Sequence, residues 1–229
     1  MGDIAPTLFG ILGGVLPALL WLWFWLREDS KHPEPRHLIA LAFFAGMLTV
    51  AIVIPIQKGV APFIASTTLT FVAWSFIEEI TKFFMAWLTV LRRRDADEPI
   101  DMVIYMVVVA LGFAAAENAL FLLSPLAGHG FIETFLTGNL RFIGATLLHV
   151  LSSAAIGLVL ASVFYKPRRI KRIAAFFGVI LAGLLHSTFN FLILNTPSEH
   201  LFRTFALVWV GVVGVLALLE MVKRMRRRR

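Results

Sequence analysis

Seven stretches of this chain are apolar for about twenty residues at a time, long enough as helices rising 1.5 Å per residue to cross the roughly 30 Å hydrocarbon core of a bilayer. They run over Leu8–Leu26, Leu38–Ile56, Leu69–Leu91, Asp101–Leu123, Arg141–Phe164, Ile173–Leu194 and Phe202–Val222. Membrane-spanning strands would instead show about ten residues of alternating polarity. Across all 229 residues, 59% are hydrophobic and only 15% charged, where soluble chains carry about 45–50% and about 25%. The expected fold is therefore all-α: a polytopic bundle of about seven transmembrane helices forming one integral-membrane domain over residues 1–229, with the lipid bilayer as its first partner.

The formal charge of +7 would suggest nucleic acid in a soluble protein. Here the cations sit between apolar runs, so topology and anionic lipid account for them and no nucleic-acid partner is expected. Arg27, Lys31 and Arg36 share one loop, Arg92, Arg93 and Arg94 a second, Lys166, Arg168, Arg169, Lys171 and Arg172 a third, and six cations fill the tail from Lys223 to Arg229. Alternate loops offer Lys58 and Arg203, with Arg141 at a helix start. The positive-inside rule then sets the N-terminus outside and the C-terminus in the cytoplasm of a multi-pass protein in the cell membrane. With no cysteine, disulfides, thiolate metal sites and a cysteine nucleophile are excluded. Asp3 stands where a signal peptide would be basic, so no cleavable leader is expected. Trp21, Trp23 and Trp25 fit an interfacial belt. The segment Ser124–Leu140, with three glycines around FIETFL, reads as a connecting loop, the alternative being a short helix on the bilayer surface.

Within the spans the ionisable residues of interest are Glu78, Glu79, Lys82, Glu117, His149 and His186. Each costs about 2.5–3.5 kcal/mol or more at a helix centre, so such groups turn to a bundle interior and pair. Counted at 1.5 Å per residue from the outer end of each span, Glu78 lies roughly 14 Å deep, Glu117 roughly 9 Å, and His149 and His186 roughly 12 Å. Four residues on four helices share one layer.

Helical spacing adds detail. Lys82 lies i+4 from Glu78 and i+3 from Glu79, within reach of either carboxylate, and His186 and Asn190 share a face at i,i+4. Glu117 and Asn118 follow Gly112 and three alanines, whose small side chains permit close helix contact. Two buried carboxylates one residue apart resist double ionisation, while Lys82 favours the charged form; such a pair can keep one carboxylate as a base able to activate water. An imidazole at the same depth can relay the proton, and a second imidazole with an amide on its helix face can donate to a developing oxyanion.

Four blocks in order, EEITK, PIDMVIYMVVVALGFAAAENALF, RFIGATLLH and HSTFN, resemble the PrsW family of intramembrane proteases, relatives of the CAAX-processing and Abi membrane peptidases. The resemblance covers about residues 69–194. It implies hydrolysis of a peptide bond in a single-span, membrane-anchored protein, for example site-1 cleavage of an anti-sigma factor. By similarity, Glu78 with His149 would activate the water, His186 with Asn190 would stabilise the oxyanion, and Glu79 and Lys82 would tune Glu78. Asn118 supports the Glu117 block, and Glu117 itself is open between orienting group, second base and metal ligand. Two histidines and one glutamate (Glu78, His149, His186) could make a zinc site with an open position, yet the chain lacks H-E-x-x-H; a metal-free site is the expectation and zinc the alternative. From another class, Glu and His at mid-membrane also mark proton-coupled transporters and channels, although the inverted repeats and broken helices of transporters are not evident. A non-catalytic binding scaffold would keep the same pocket. Substrate identity and oligomeric state are not encoded in these features.

Overall fold

A computed structural model describes the backbone of residues 4–28, 33–123, 131–195 and 201–225, and their side chains apart from 4–7, 9, 28, 131–143, 193–195 and 201–205. Among the described residues seven helices follow one another: α1 (Ile4–Glu28), α2 (Arg36–Val60), α3 (Thr67–Ala86), α4 (Pro99–Leu123), α5 (Phe131–Ser162), α6 (Arg168–Asn195) and α7 (Leu201–Lys223). There is no strand among the described residues, as expected where lipid offers the backbone no hydrogen bonds and each segment must satisfy its own. A 3-10 turn at Ala61–Phe63 follows α2, and a π-helical turn at Trp87–Leu91 closes α3. Before α3, Ser66 Oγ accepts from the Leu69 amide at 3.5 Å, and before α4, Asp101 accepts from the Glu98 amide at 2.6 Å.

Five helices form a ring in which α2 packs on α4, α4 on α5, α5 on α6, α6 on α3 and α3 back on α2. Outside it, α1 lies along α4 and α7 along α5. Flanked by α1, α2 and α5, α4 is buried on every side from Pro99 to Ala115. Glycines allow that crowding. A Cβ at Gly46 would meet the Val109 carbonyl oxygen, one at Gly112 the Phe43 carbonyl oxygen, and one on Gly157 of α5 the backbone of Val103. Small residues are how helices approach closely where lipid removes any hydrophobic force between them.

Six of the seven helices are long and apolar enough to cross a membrane. The exception is α3, because every 18-residue stretch of its 20 residues contains Glu78, Glu79 and Lys82; its place in the ring buries those groups against other helices instead of lipid. The chain is thus an all-helical, multi-pass membrane protein. Two expectations need correction. FIETFL is neither a loop nor a separate surface helix but the opening turns of α5, which begins at Phe131 and not near Arg141. Nor do the three tryptophans share one environment: Trp23 is exposed with Arg27 over its ring at 4.7 Å, whereas Trp25 is packed in the core. The segment 124–130 and the side chains of Arg141, His129 and His200 lie outside the described residues.

Candidate active site

The inner faces of the ring helices are polar at helical spacing. On α3, Ser75, Glu79 and Lys82 stand at i, i+4 and i+7, and none shows any surface. On α5, Thr146, His149 and Ser153 repeat i, i+3, i+7, with Ser152 beside them, all buried. From α6 come His186 and Asn190, and from α4 Glu117 and Asn118. Each set is one stripe of one helix, so closing the ring brings the stripes together.

Glu79 is the hub. Its Oε1 accepts from Lys82 Nζ at 2.6 Å, Ser152 Oγ at 2.8 Å and His186 Nδ1 at 2.9 Å, and its Oε2 from Ser153 Oγ at 3.0 Å. A carboxylate offers about four lone-pair sites, and four donors from three helices converge on them, three at Oε1 and one at Oε2. Glu79 is thereby committed to structure: it neutralises Lys82 and aims His186.

Lys82 also lies 3.0 Å from His149 Nδ1 and 4.6 Å from the centre of the Phe113 ring. An ammonium only donates, so Nδ1 of His149 accepts and the ring proton is on Nε2. That Nε2–H points at Glu117 Oε2, 2.8 Å away. Glu117 is the more exposed member of this pair, its side chain 43% exposed.

His186 has the opposite tautomer. Its Nδ1–H is used on Glu79, leaving the Nε2 lone pair directed at Glu78 Oε2, 3.7 Å away. Glu78 Oε1 accepts from Gln57 Nε2 of α2 at 2.9 Å, and Glu78 Oε2 is buried without any hydrogen-bond partner. Glu78 Oε2, which lacks a donor, therefore faces the electron-rich His186 Nε2, which is a place for a water proton or a cation. The imidazoles of His149 and His186 meet edge to face with centroids 5.0 Å apart.

All of the expected residues lie in this polar cluster between the ring helices, with altered pairings. Lys82 chooses Glu79 over Glu78. Glu78 faces His186 without a hydrogen bond, while His149 Nε2–H donates to Glu117. Asn190 Nδ2 donates to Ser75 Oγ at 3.2 Å, and Asn118 Nδ2 to Thr146 Oγ1 at 3.1 Å, tying α6 to α3 and α4 to α5. Sequence reasoning missed Gln57, Ser152 and Ser153. The serines carry a findable signal, since they fall on the stripe that begins at His149.

Glu78, His149 and His186 each offer one ligand atom, these atoms lie within 4.8 Å of one another, and all three residues are buried. The donor set, the unpartnered Glu78 Oε2 and the Glu79 carboxylate fixing the His186 ring fit a zinc-class cation, whose histidine ligands are oriented by a carboxylate on the other nitrogen. For His149 to join through Nε2, Glu117 must take that nitrogen's proton, and it is already the acceptor there.

The sequence model of the PrsW family intramembrane metalloproteases matches residues 34–219. The chain is 28% identical over 194 residues to a "Protease PrsW" of Bacillus subtilis, covering 80% of this chain and 82% of that protein. It is likewise 28% identical over 222 residues to a "Protease PrsW" of Halalkalibacterium halodurans, covering 91% and 96%. No solved structure matches significantly.

Proposed function

The chain belongs to the PrsW family of intramembrane proteases, and from that membership we propose that it cuts a single-span protein, an anti-sigma factor being the example the family suggests, at the Glu78–His186 pair. The carrying observation is that the buried, unpartnered Glu78 Oε2 faces His186 Nε2 across 3.7 Å.

Each residue then has a task. Glu78 Oε2 takes the proton of a water that attacks the scissile carbonyl carbon. As the C–N bond breaks, the leaving nitrogen must gain a proton, and Glu78, now protonated, returns it. His186, held by Glu79, keeps its Nε2 lone pair on that water. The second N–H of the Asn190 amide, one turn along α6, is free to donate to the oxyanion. Glu117 and His149 form a second proton-holding pair on the more exposed side of the site. Burial removes bulk water, so every charge in the cluster acts more strongly than it would in solution.

In the alternative in which Glu78, His149 and His186 hold a zinc-class ion, the ion would polarise the carbonyl and make a water more acidic, and Glu78 would serve as a ligand in place of the base. The basic loops support an orientation with the N-terminus outside, which puts the Glu117 end of α4 toward the outer face. The test is cleavage of a single-span substrate by purified protein in proteoliposomes. Wild type is expected to cut and His186→Ala not to; equal turnover by the variant overturns the assignment of His186.

A further inference from the structure

Gln57 lies one residue beyond the apolar run of α2 and outside the four sequence blocks that mark the site. On α2, Val50, Val53 and Gln57 repeat i, i+3, i+7. The two valines are buried and pack with Phe113 of α4, with Ile77 of α3 against the same cluster. The stripe therefore calls for another apolar residue at 57, and a glutamine stands there instead. Its amide reaches the one Glu78 oxygen that has a partner, at 2.9 Å. Pro55, two residues earlier, has no backbone N–H to give the preceding turn, so the last turn of α2 is held to the helix by one bond fewer and is tied to α3 by this side-chain bond.

A carboxylate can rotate to present either oxygen or both. With Oε1 held by Gln57, Glu78 can present only Oε2 to His186 Nε2. We propose that Gln57 is a positioning residue of the peptidase, which fixes by its Nε2–H···Oε1 bond the single Glu78 oxygen offered to the reaction. The ring helix α2 thus contributes to the site together with α3, α4, α5 and α6. The inference rests on the peptidase assignment of Glu78 made above.

The test uses Gln57→Met, which keeps the shape and removes the donor, Gln57→Glu, which keeps the stem and replaces the donor with an acceptor, and Lys58→Met as an exposed neighbouring control. Both Gln57 variants are expected to lose about 10–100-fold in kcat, the usual cost of removing such a supporting bond, while KM stays within about twofold because substrate binding is not what the bond supplies. Lys58→Met should match wild type. A thermal-unfolding cycle of Gln57→Met, Glu78→Gln and the double variant should be non-additive, as expected for residues in contact. A folded Gln57→Met or Gln57→Glu protein with wild-type kcat, or an additive cycle, overturns the proposal. If wild type itself cleaves nothing, the peptidase assignment of Glu78 fails, and the cycle still decides the contact.

Discussion

Lys82 Nζ and Glu79 Oε1 lie 2.6 Å apart with neither side chain exposed. The adjacent Glu78 carries the opposite signature, an oxygen with no partner at all. Consecutive glutamates on one helix turn have thus been separated by their surroundings into an anchor and a carboxylate with one oxygen left open, because a step of 100° around α3 moves one carboxylate from the α5 hydroxyls to the gap before His186.

That division predicts unlike phenotypes for neighbouring substitutions. Glu79→Ala leaves Lys82 as an unpaired buried charge and should cost about 3–5 kcal/mol of stability, as breaking buried pairs does. Lys82→Met should also destabilise, while replacing both residues together should recover part of the loss. Unfolding midpoints in detergent measure this, and a Glu79→Ala protein as stable as wild type would remove the anchor role.

Prolonged treatment with a strong chelator should abolish cleavage if the three-residue cluster holds its cation, with zinc restoring it. The metal content of the purified protein should then fall in His186→Ala and Glu78→Ala. Full activity in a protein shown to contain no metal would return the site to a glutamate and imidazole mechanism without an ion, the simpler expectation from sequence.

Gly112→Val would push a side chain into the Phe43 carbonyl where α2 crosses α4. Overpacking typically costs about 1–3 kcal/mol, and because Gln57 and Glu78 depend on where α2 lies, turnover should fall along with stability. Gly214→Val on α7, where nothing lies within 4 Å of an added Cβ, should change neither. Measured side by side in unfolding and cleavage assays, equal effects at the two positions would contradict the tight α2–α4 crossing.

Much of the site could be read from sequence because charge in a membrane is costly and therefore rare. Glu78, Glu117, His149 and His186 fell in one layer from residue counting alone, and the folded chain gathers them. Their partners were harder to foresee. Which carboxylate Lys82 would take depended on the hydroxyls of Ser152 and Ser153, whose one signal is their place a turn beyond His149 on α5, since a serine in a membrane helix is cheap. Gln57 was hidden for a related reason: an uncharged polar residue at the end of an apolar run looks like the membrane boundary. Hydropathy marked the apolar part of α5 but not its first turns, since Glu133, Thr134, Thr137 and Asn139 lower the local average without breaking a helix.

Turnover of a membrane-tethered substrate by Glu78→Gln protein, beside wild type in the same proteoliposomes and with matched unfolding midpoints, bears most directly on the assignment of the base. The substitution keeps the side chain's shape and removes the proton acceptor at Oε2. Cleavage should disappear while the fold persists. Cleavage at the wild-type rate would mean that the base lies elsewhere.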